Sequence, residues 1–370
     1  MSTDLLTTLS KTLLMGPGPS CVPDQVYSAL AKDTIGHLDS RFIAIMDEIK
    51  KRLQTLLQTQ NKLTIPISGT GSAGMETCFV NLIEAGDPVL ILKNGVFGMR
   101  MVDLAERLRA DVDVLEFEWG TPVIVDAVKK KLAQKFYKIV AVVHAETSTG
   151  VMNPVGEISR LLEGSNSLFL VDCVTSLGGI PVKTDEWKVD AIYSGTQKCL
   201  SCPPGLAPVS FSDRAIAAVK ARKTKIPNWY LDLTMIINYW GGATRAYHHT
   251  APINMLYGLY AALGVILDEG LDKVYARHKA AHDYLVAGLG SLGLSMTVTP
   301  ESRLPMLNSV NIPDGVNDVA IRTALIKDHD IEIGAGLGPL AGKIWRIGLM
   351  GHTARTENVD RLIATLKTLL

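Results

Sequence analysis

The chain has 370 residues, with 37 Lys and Arg against 37 Asp and Glu, so its formal net charge is zero. That balance argues against nucleic acid or an anionic membrane as its main partner. Hydrophobic residues make up 47% of the chain, enough for a large core, yet no apolar run approaches the roughly 18 residues of a membrane span.

The length suits two domains. The beginning, MSTDLLTTLSK, has an early Asp and no long apolar block, and the end, TLKTLL, is not a peroxisomal address. A cytosolic location is expected. Residues 63–67 read as a short strand despite a proline. SGTGSAG follows at 68–74, then apolar residues at helical spacing over 75–83. Further strands are expected at 88–92, 112–116, 138–143, 168–171, 189–193 and 206–211, with helices at 98–109 and 123–134. Alternation of this kind means an α/β fold with a mainly parallel sheet covered on both faces. After about residue 265 the composition changes. A helix over 271–292 precedes strands near 306–312 and 343–349, a smaller α+β domain. The expected division is a segment 1–20 crossing between domains, a large domain 21–262 and a small one 263–370.

GTGSAG matches G-x-G-x-x-G, and a strand, a glycine turn and a helix start gather free N–H groups at one spot. A ligand-free tight turn is the equal alternative on this motif alone. The dinucleotide reading fails, because 88–92 runs into Lys93-Asn94-Gly95 with no carboxylate for a ribose. No Gly-Lys-Ser/Thr follows, so it is not a Walker loop either. A monophosphate fits better.

Ligands on such sheets bind at the carboxyl ends of strands. There the sequence places His144-Ala-Glu-Thr-Ser-Thr-Gly150, Asp172-Cys-Val-Thr-Ser176 and Ser194-Gly-Thr-Gln-Lys-Cys199. Lys198 is flanked by small and apolar residues. A surface loop lysine is the alternative, but a solvated loop would carry more charge. A desolvated lysine has a lowered pKa and can form an imine with a carbonyl. Pyridoxal phosphate combines an aldehyde with a monophosphate, and it needs a carboxylate at its ring nitrogen. Asp172 can supply one, or can simply cap a helix. His144 lies near the ring or is a satisfied strand-end histidine. Arg346, in the alternating run Lys343-Ile-Trp-Arg-Ile-Gly348, suits an α-carboxylate or a structural ion pair. Five cysteines at 21, 78, 173, 199 and 202 suggest no disulfide framework. The lone C-x-x-C at 199–202 could be a redox pair or half a zinc site, but no second pair exists and Pro203-Pro204 follows, so it reads as two small residues in a packed turn.

The segments SGTGSAGMET, HAETSTGVMNP, LFLVDCVTSLGG, YSGTQKCLSCPPGLAPVSFS, YHHTAP and GLGPLAGKIWRIGLMG resemble the class V aminotransferases, in the alanine–glyoxylate and serine–pyruvate branch. The likeness runs from LLMGPGPS at residue 13 to RTENVDRL near the end. It implies fold type I of the pyridoxal-phosphate enzymes, with a seven-stranded sheet, and a homodimer with shared active sites. By that resemblance Lys198 carries the cofactor, Asp172 faces the ring nitrogen and Val174 packs on the ring. Thr70, Gly71, Ser72 and Gln197 form the phosphate cup, joined by Tyr247 and Thr250 of the neighbouring subunit. Thr147 lies near the ring oxygen, and Arg346 binds the substrate carboxylate. Phe97 stands where many members have tryptophan, and Ser72 where many have histidine. A second branch, the ureidoglycine–glyoxylate aminotransferases, shares GTQKC, EWGT and GPLAGKIWRIG, with Gln in place of His37 and Asn in place of Tyr247. The expected reaction moves an amino group from alanine or serine to glyoxylate or pyruvate, with ureidoglycine as the alternative donor. A cysteine desulfurase needs a nucleophilic cysteine near the C-terminus, and the last here is Cys202.

Overall fold

A computed structural model describes residues 5–241 and 245–370. Its centre is a seven-stranded sheet. In chain order its strands are β1 (Leu63–Ser68), β2 (Pro88–Lys93), β3 (Asp111–Glu116), β4 (Ile139–Val143), β5 (Leu168–Asp172), β6 (Ala191–Tyr193) and β7 (Leu206–Phe211). Across the sheet the order is β1-β7-β6-β5-β4-β2-β3. Only β7 runs antiparallel, to both β1 and β6. Two reversals leave β1 pointing the same way as β6. The loops after β1, β2, β4, β5 and β6 therefore share one edge.

The burial explains the pattern. β4 and β5 are buried at every position, as expected of central parallel strands covered on both faces. Edge strand β3 is half exposed, which is why its sequence signal was weak. Pro66 is tolerated because β1 is the other edge, and its cross-strand partner is Pro208. The expected strand 189–193 begins later, at Ala191. Asp190 instead accepts the Phe169 amide at 3.0 Å and the Ser212 hydroxyl at 2.7 Å. Helix Val125–Leu132 falls within its expected span of 123–134, whereas helix Val96–Arg107 starts and ends two residues before the expected 98–109.

The rest of the chain builds a three-stranded antiparallel sheet from β8 (Leu307–Asn311), β9 (Gly334–Ala335) and β10 (Ile344–Gly348), with β10 central. Helices Leu271–Ser291 and Thr356–Leu369 pack with it, and Trp345 is fully buried in this second core. Leu13 and Met15 belong to that core too. The Met15 carbonyl accepts the Gly348 amide at 2.7 Å, and the Ser20 amide donates to the Gln197 carbonyl at 2.9 Å. The N-terminal segment thus ties β10 to the loop that carries Lys198. No helix among the described residues is long and apolar enough to cross a membrane.

Candidate active site

Three loops converge at the shared edge. A Cβ on Gly71 would lie 3.4 Å from Val174 Cγ2 and 3.6 Å from Gly195 Cα, so the turns after β1, β5 and β6 meet there. Helix Gly71–Leu82 starts at this point with Thr70 in the N-cap position, yet the Thr70 hydroxyl makes no capping bond. Within the described residues nothing accepts the amides of Gly71 or Ser72. Thr70 and Ser72 are exposed. A helix start with free amides and hydroxyls is a ready anion site. The Gln197 Oε1 is buried beside it without a partner.

Lys198 is 8% exposed. Its ammonium donates to the Pro17 carbonyl and has no carboxylate partner among the described residues. Burial, then the positive charge of Arg346, lowers its pKa to about 8. The chain passes very close here. A Cβ on Gly18, whose φ is +111°, would sit 2.5 Å from the Lys198 Nζ. The loop lysine is therefore a desolvated amine, not a surface cation.

Asp172 ends β5 with 3% exposure. Its Oδ1 accepts the Val174 amide at 2.8 Å, and its Oδ2 accepts the Tyr193 hydroxyl at 2.7 Å. No helix begins after it, so the contact to Val174 is an Asx turn, not a helix cap. Burial raises its pKa to about 6, against the pull of those two bonds and the Lys198 charge. Each oxygen retains room to accept another donor.

Arg346 is 7% exposed on β10. Among the described residues it forms no ion pair. Its Nε donates to the Ala335 carbonyl at 2.6 Å and its Nη1 to the Thr147 carbonyl at 3.1 Å. Burial lowers its pKa to about 10, with Glu146 opposing. Two carbonyls hold the guanidinium but do not neutralise it. A buried cation without a counter-ion is poised for an anionic ligand.

Thr147 is buried, and Phe97 is half buried at the start of its helix. The Arg100 guanidinium lies 5.0 Å from the centre of the Phe97 ring. His144 packs edge-on against Trp187, with centroids 5.2 Å apart and Nδ1 unpartnered. Burial lowers its pKa to about 4. Tyr247 and Thr250 are different. Both are exposed, their hydroxyls are 3.4 Å apart, and among the described residues neither is hydrogen-bonded to the 68–74 loop. The intervening His249 does reach that loop, 2.9 Å from Ser68 Oγ. His37 meets Tyr247, with ring centroids 5.3 Å apart.

The sequence reading missed four neighbours: Gly18 against Lys198, Tyr193 on Asp172, Arg100 over Phe97, and Glu146. Glu146 is wholly buried, and burial lifts its pKa to about 7. The C-x-x-C cysteines are free and buried, and burial pushes both thiols to about 12.

A free-amide helix start, a buried amine, a buried carboxylate and an unpaired guanidinium on one edge suit a phosphate-bearing aldehyde cofactor and a carboxylate substrate. The comparisons agree. The family model "Aminotransferase class-V" matches residues 23–362, and the chain belongs to that family. It is 40% identical over 365 residues to the alanine–glyoxylate aminotransferase of Rattus norvegicus, covering 98% of this chain and 88% of the relative. The solved alanine–glyoxylate aminotransferase of Nostoc sp. superposes with a TM-score of 0.95 at 45% identity, over the full length of both chains. The ureidoglycine–glyoxylate aminotransferase of Bacillus subtilis gives a TM-score of 0.96 at 39% identity, covering 98% of this chain and 93% of that one. The fold is type I of the pyridoxal-phosphate enzymes, and the protein is a pyridoxal-phosphate-dependent aminotransferase.

Proposed function

We propose that the enzyme transfers the amino group of alanine or serine to glyoxylate or pyruvate, in two half-reactions at one site. The observation that carries this reading is Arg346, a buried guanidinium with no carboxylate partner among the described residues. Lys198 would hold the cofactor. The Gly71 and Ser72 amides, Thr70 and Gln197 would receive its phosphate, and Asp172 would face its ring nitrogen. Val174 and Phe97 would flank the ring, with Thr147 near its oxygen. The cofactor supplies an aldehyde and an electron-withdrawing ring.

The chain's residues do the rest. Arg346 takes the α-carboxylate of donor and acceptor alike. Once free, the Lys198 amine removes the proton from the substrate Cα. Serving as both acid and base requires a pKa close to working pH, and burial with the Arg346 charge provides that. Asp172 would keep the ring nitrogen of a bound cofactor protonated.

Homodimerisation belongs to this reading. It is supported by the exposed side chains of Leu38, Trp229 and Tyr247, with His37 against Tyr247 and His248 stacked on Trp229. Tyr247 and Thr250 would then complete the partner's phosphate site. A cytosolic location is also part of it, consistent with five free cysteines.

The preference for a small donor is supported by His37 packed on Tyr247, where the ureidoglycine branch has amides. A polar ureido group would be left unpaired against those rings. The test measures kcat/KM for alanine, serine, aspartate and fresh ureidoglycine with glyoxylate as acceptor. Alanine and serine should both turn over well. A clear lead for ureidoglycine would overturn the donor assignment.

A further inference from the structure

The most connected buried acid at this edge is Glu146, between β4 and the turn at residues 147–150. Its Oε2 accepts the amides of Phe97 at 3.2 Å and Gly98 at 3.4 Å. Its Oε1 accepts the Ser148 amide at 3.1 Å and the Ser148 hydroxyl at 2.6 Å. Ser148 Oγ in turn accepts the Val96 amide at 3.0 Å.

Helix Val96–Arg107 has Gly95 in its N-cap position and no capping side chain of its own. Its first three amides are instead satisfied by Glu146 and Ser148, from a different strand. An unpaired helix start is costly when buried, and a carboxylate there also meets the positive end of the helix. The packing is close. A Cβ on Gly95 would lie 2.4 Å from the Glu146 Cγ and Cδ and from the Ser148 Oγ. Since its φ is 177°, Gly95 is required there by space, not by backbone conformation.

The same residue organises the turn beyond it. The Glu146 carbonyl accepts the Gly150 amide at 2.8 Å and the Thr149 amide at 3.2 Å. That turn presents the Thr147 carbonyl to Arg346 and the Thr149 carbonyl to the Ser309 hydroxyl at 2.8 Å. We propose that Glu146 is a positioning residue: its buried carboxylate sets the helix start carrying Phe97 and the turn carrying Thr147, and so fixes both the cofactor face and Arg346. The inference rests on the site reading above.

All four partners of the carboxylate are donors. An amide in its place must turn its NH2 group toward donors on one side, whichever way it flips. Charge and position make opposite predictions for substrate affinity. Removing a negative charge near Arg346 would by itself tighten carboxylate binding. Losing the position of Arg346 would weaken it.

The test uses the dimeric or monomeric enzyme as purified, in Glu146→Gln and Ser148→Ala forms. Ser148→Ala keeps the charge, removes one donor to it and uncaps Val96. Three quantities are read: the Kd of the apoenzyme for pyridoxal phosphate, the visible circular dichroism of the bound chromophore, and KM for alanine and glyoxylate. Glu146→Gln should raise the cofactor Kd and both KM values by about ten- to a hundredfold, the scale of a lost charge-assisted contact. It should also change the visible dichroism. Ser148→Ala should move all three in the same direction by less.

A lowered KM in Glu146→Gln, with Ser148→Ala like wild type, overturns the proposal in favour of a purely electrostatic role. A lowered melting point with unchanged Kd, KM and dichroism overturns it in favour of a structural one. If Glu146→Gln does not fold, the Ser148→Ala values decide alone. These failures differ from failure of the site reading, which would appear as cofactor bound elsewhere than Lys198 after borohydride reduction and peptide mapping.

Discussion

Replacing Asp172 by Asn separates what this carboxylate does for the reaction from what it does for the fold. The amide is nearly isosteric. Its oxygen can keep the 2.8 Å contact to the Val174 amide, and its NH2 then faces the Tyr193 hydroxyl, which can rotate to accept. The turn after β5 should survive. Buried Asp172 is costly to ionise, and its pKa is raised from 3.8 to about 6. A raised acid binds more protons folded than unfolded between those values, so its contribution to stability falls as pH rises from about 4 to about 6 and stays unfavourable above. Two pKa units correspond to at most about 3 kcal/mol. At pH 7 the Asn apoprotein should therefore be as stable as wild type or more so. Its stability should also fall less steeply between pH 4 and 6. Activity should move the other way. Loss of one charge-assisted contact to the ring nitrogen costs about 1.5–3 kcal/mol, or roughly 10- to 150-fold in kcat. The assay pairs urea unfolding of both apoproteins across pH 4–8 with turnover of alanine and glyoxylate. Near-native turnover, or an apoprotein much less stable at pH 7, would refute the reasoning, because Asp172 would then be a structural turn residue only.

Other expectations follow from the same geometry. The Lys198 amine has its pKa lowered to about 8 by burial and Arg346, so the rate at which apoenzyme captures pyridoxal phosphate should rise through pH 8. A flat profile from pH 7 to 9 would contradict a titrating Lys198. Sedimentation should show a dimer, and Tyr247→Ala should weaken cofactor binding; a monomer with full turnover would remove the case for shared sites. Native protein should react with a maleimide at Cys21 alone, the half-buried thiol, while Cys199 and Cys202 stay unmodified until unfolding. Rapid labelling of Cys202 would mean that the turn is open.

How much of this was legible depends on whether a residue's work is local. The sheet could be read because continuous apolar runs such as Ile139–Val143 are what a strand buried on both faces requires. Residues directly after those runs, Asp172 and Lys198, could be placed on one edge for the same reason. The reversed direction of β7 left no trace in its composition, since Leu206–Phe211 is as buried as its parallel neighbours. Nor could Arg346 be settled from sequence, where a substrate ligand and a structural ion pair look alike. The structure puts the Ala335 and Thr147 carbonyls on it and, among the described residues, no carboxylate partner. Glu146 was hidden by its own success. Its partners lie 48 and 49 residues away at Gly98 and Phe97, and a helix capped from another strand shows no capping residue in its own sequence. Gly95 at the cap position offers no side-chain acceptor, and the preceding Asn94 donates instead to the Thr121 carbonyl and Asn153, so the helix amides are served from Glu146 and Ser148. In this fold the Glu146 side chain also stands close to Arg346, so the demand of one helix start for a buried acceptor places a carboxyl group beside that guanidinium.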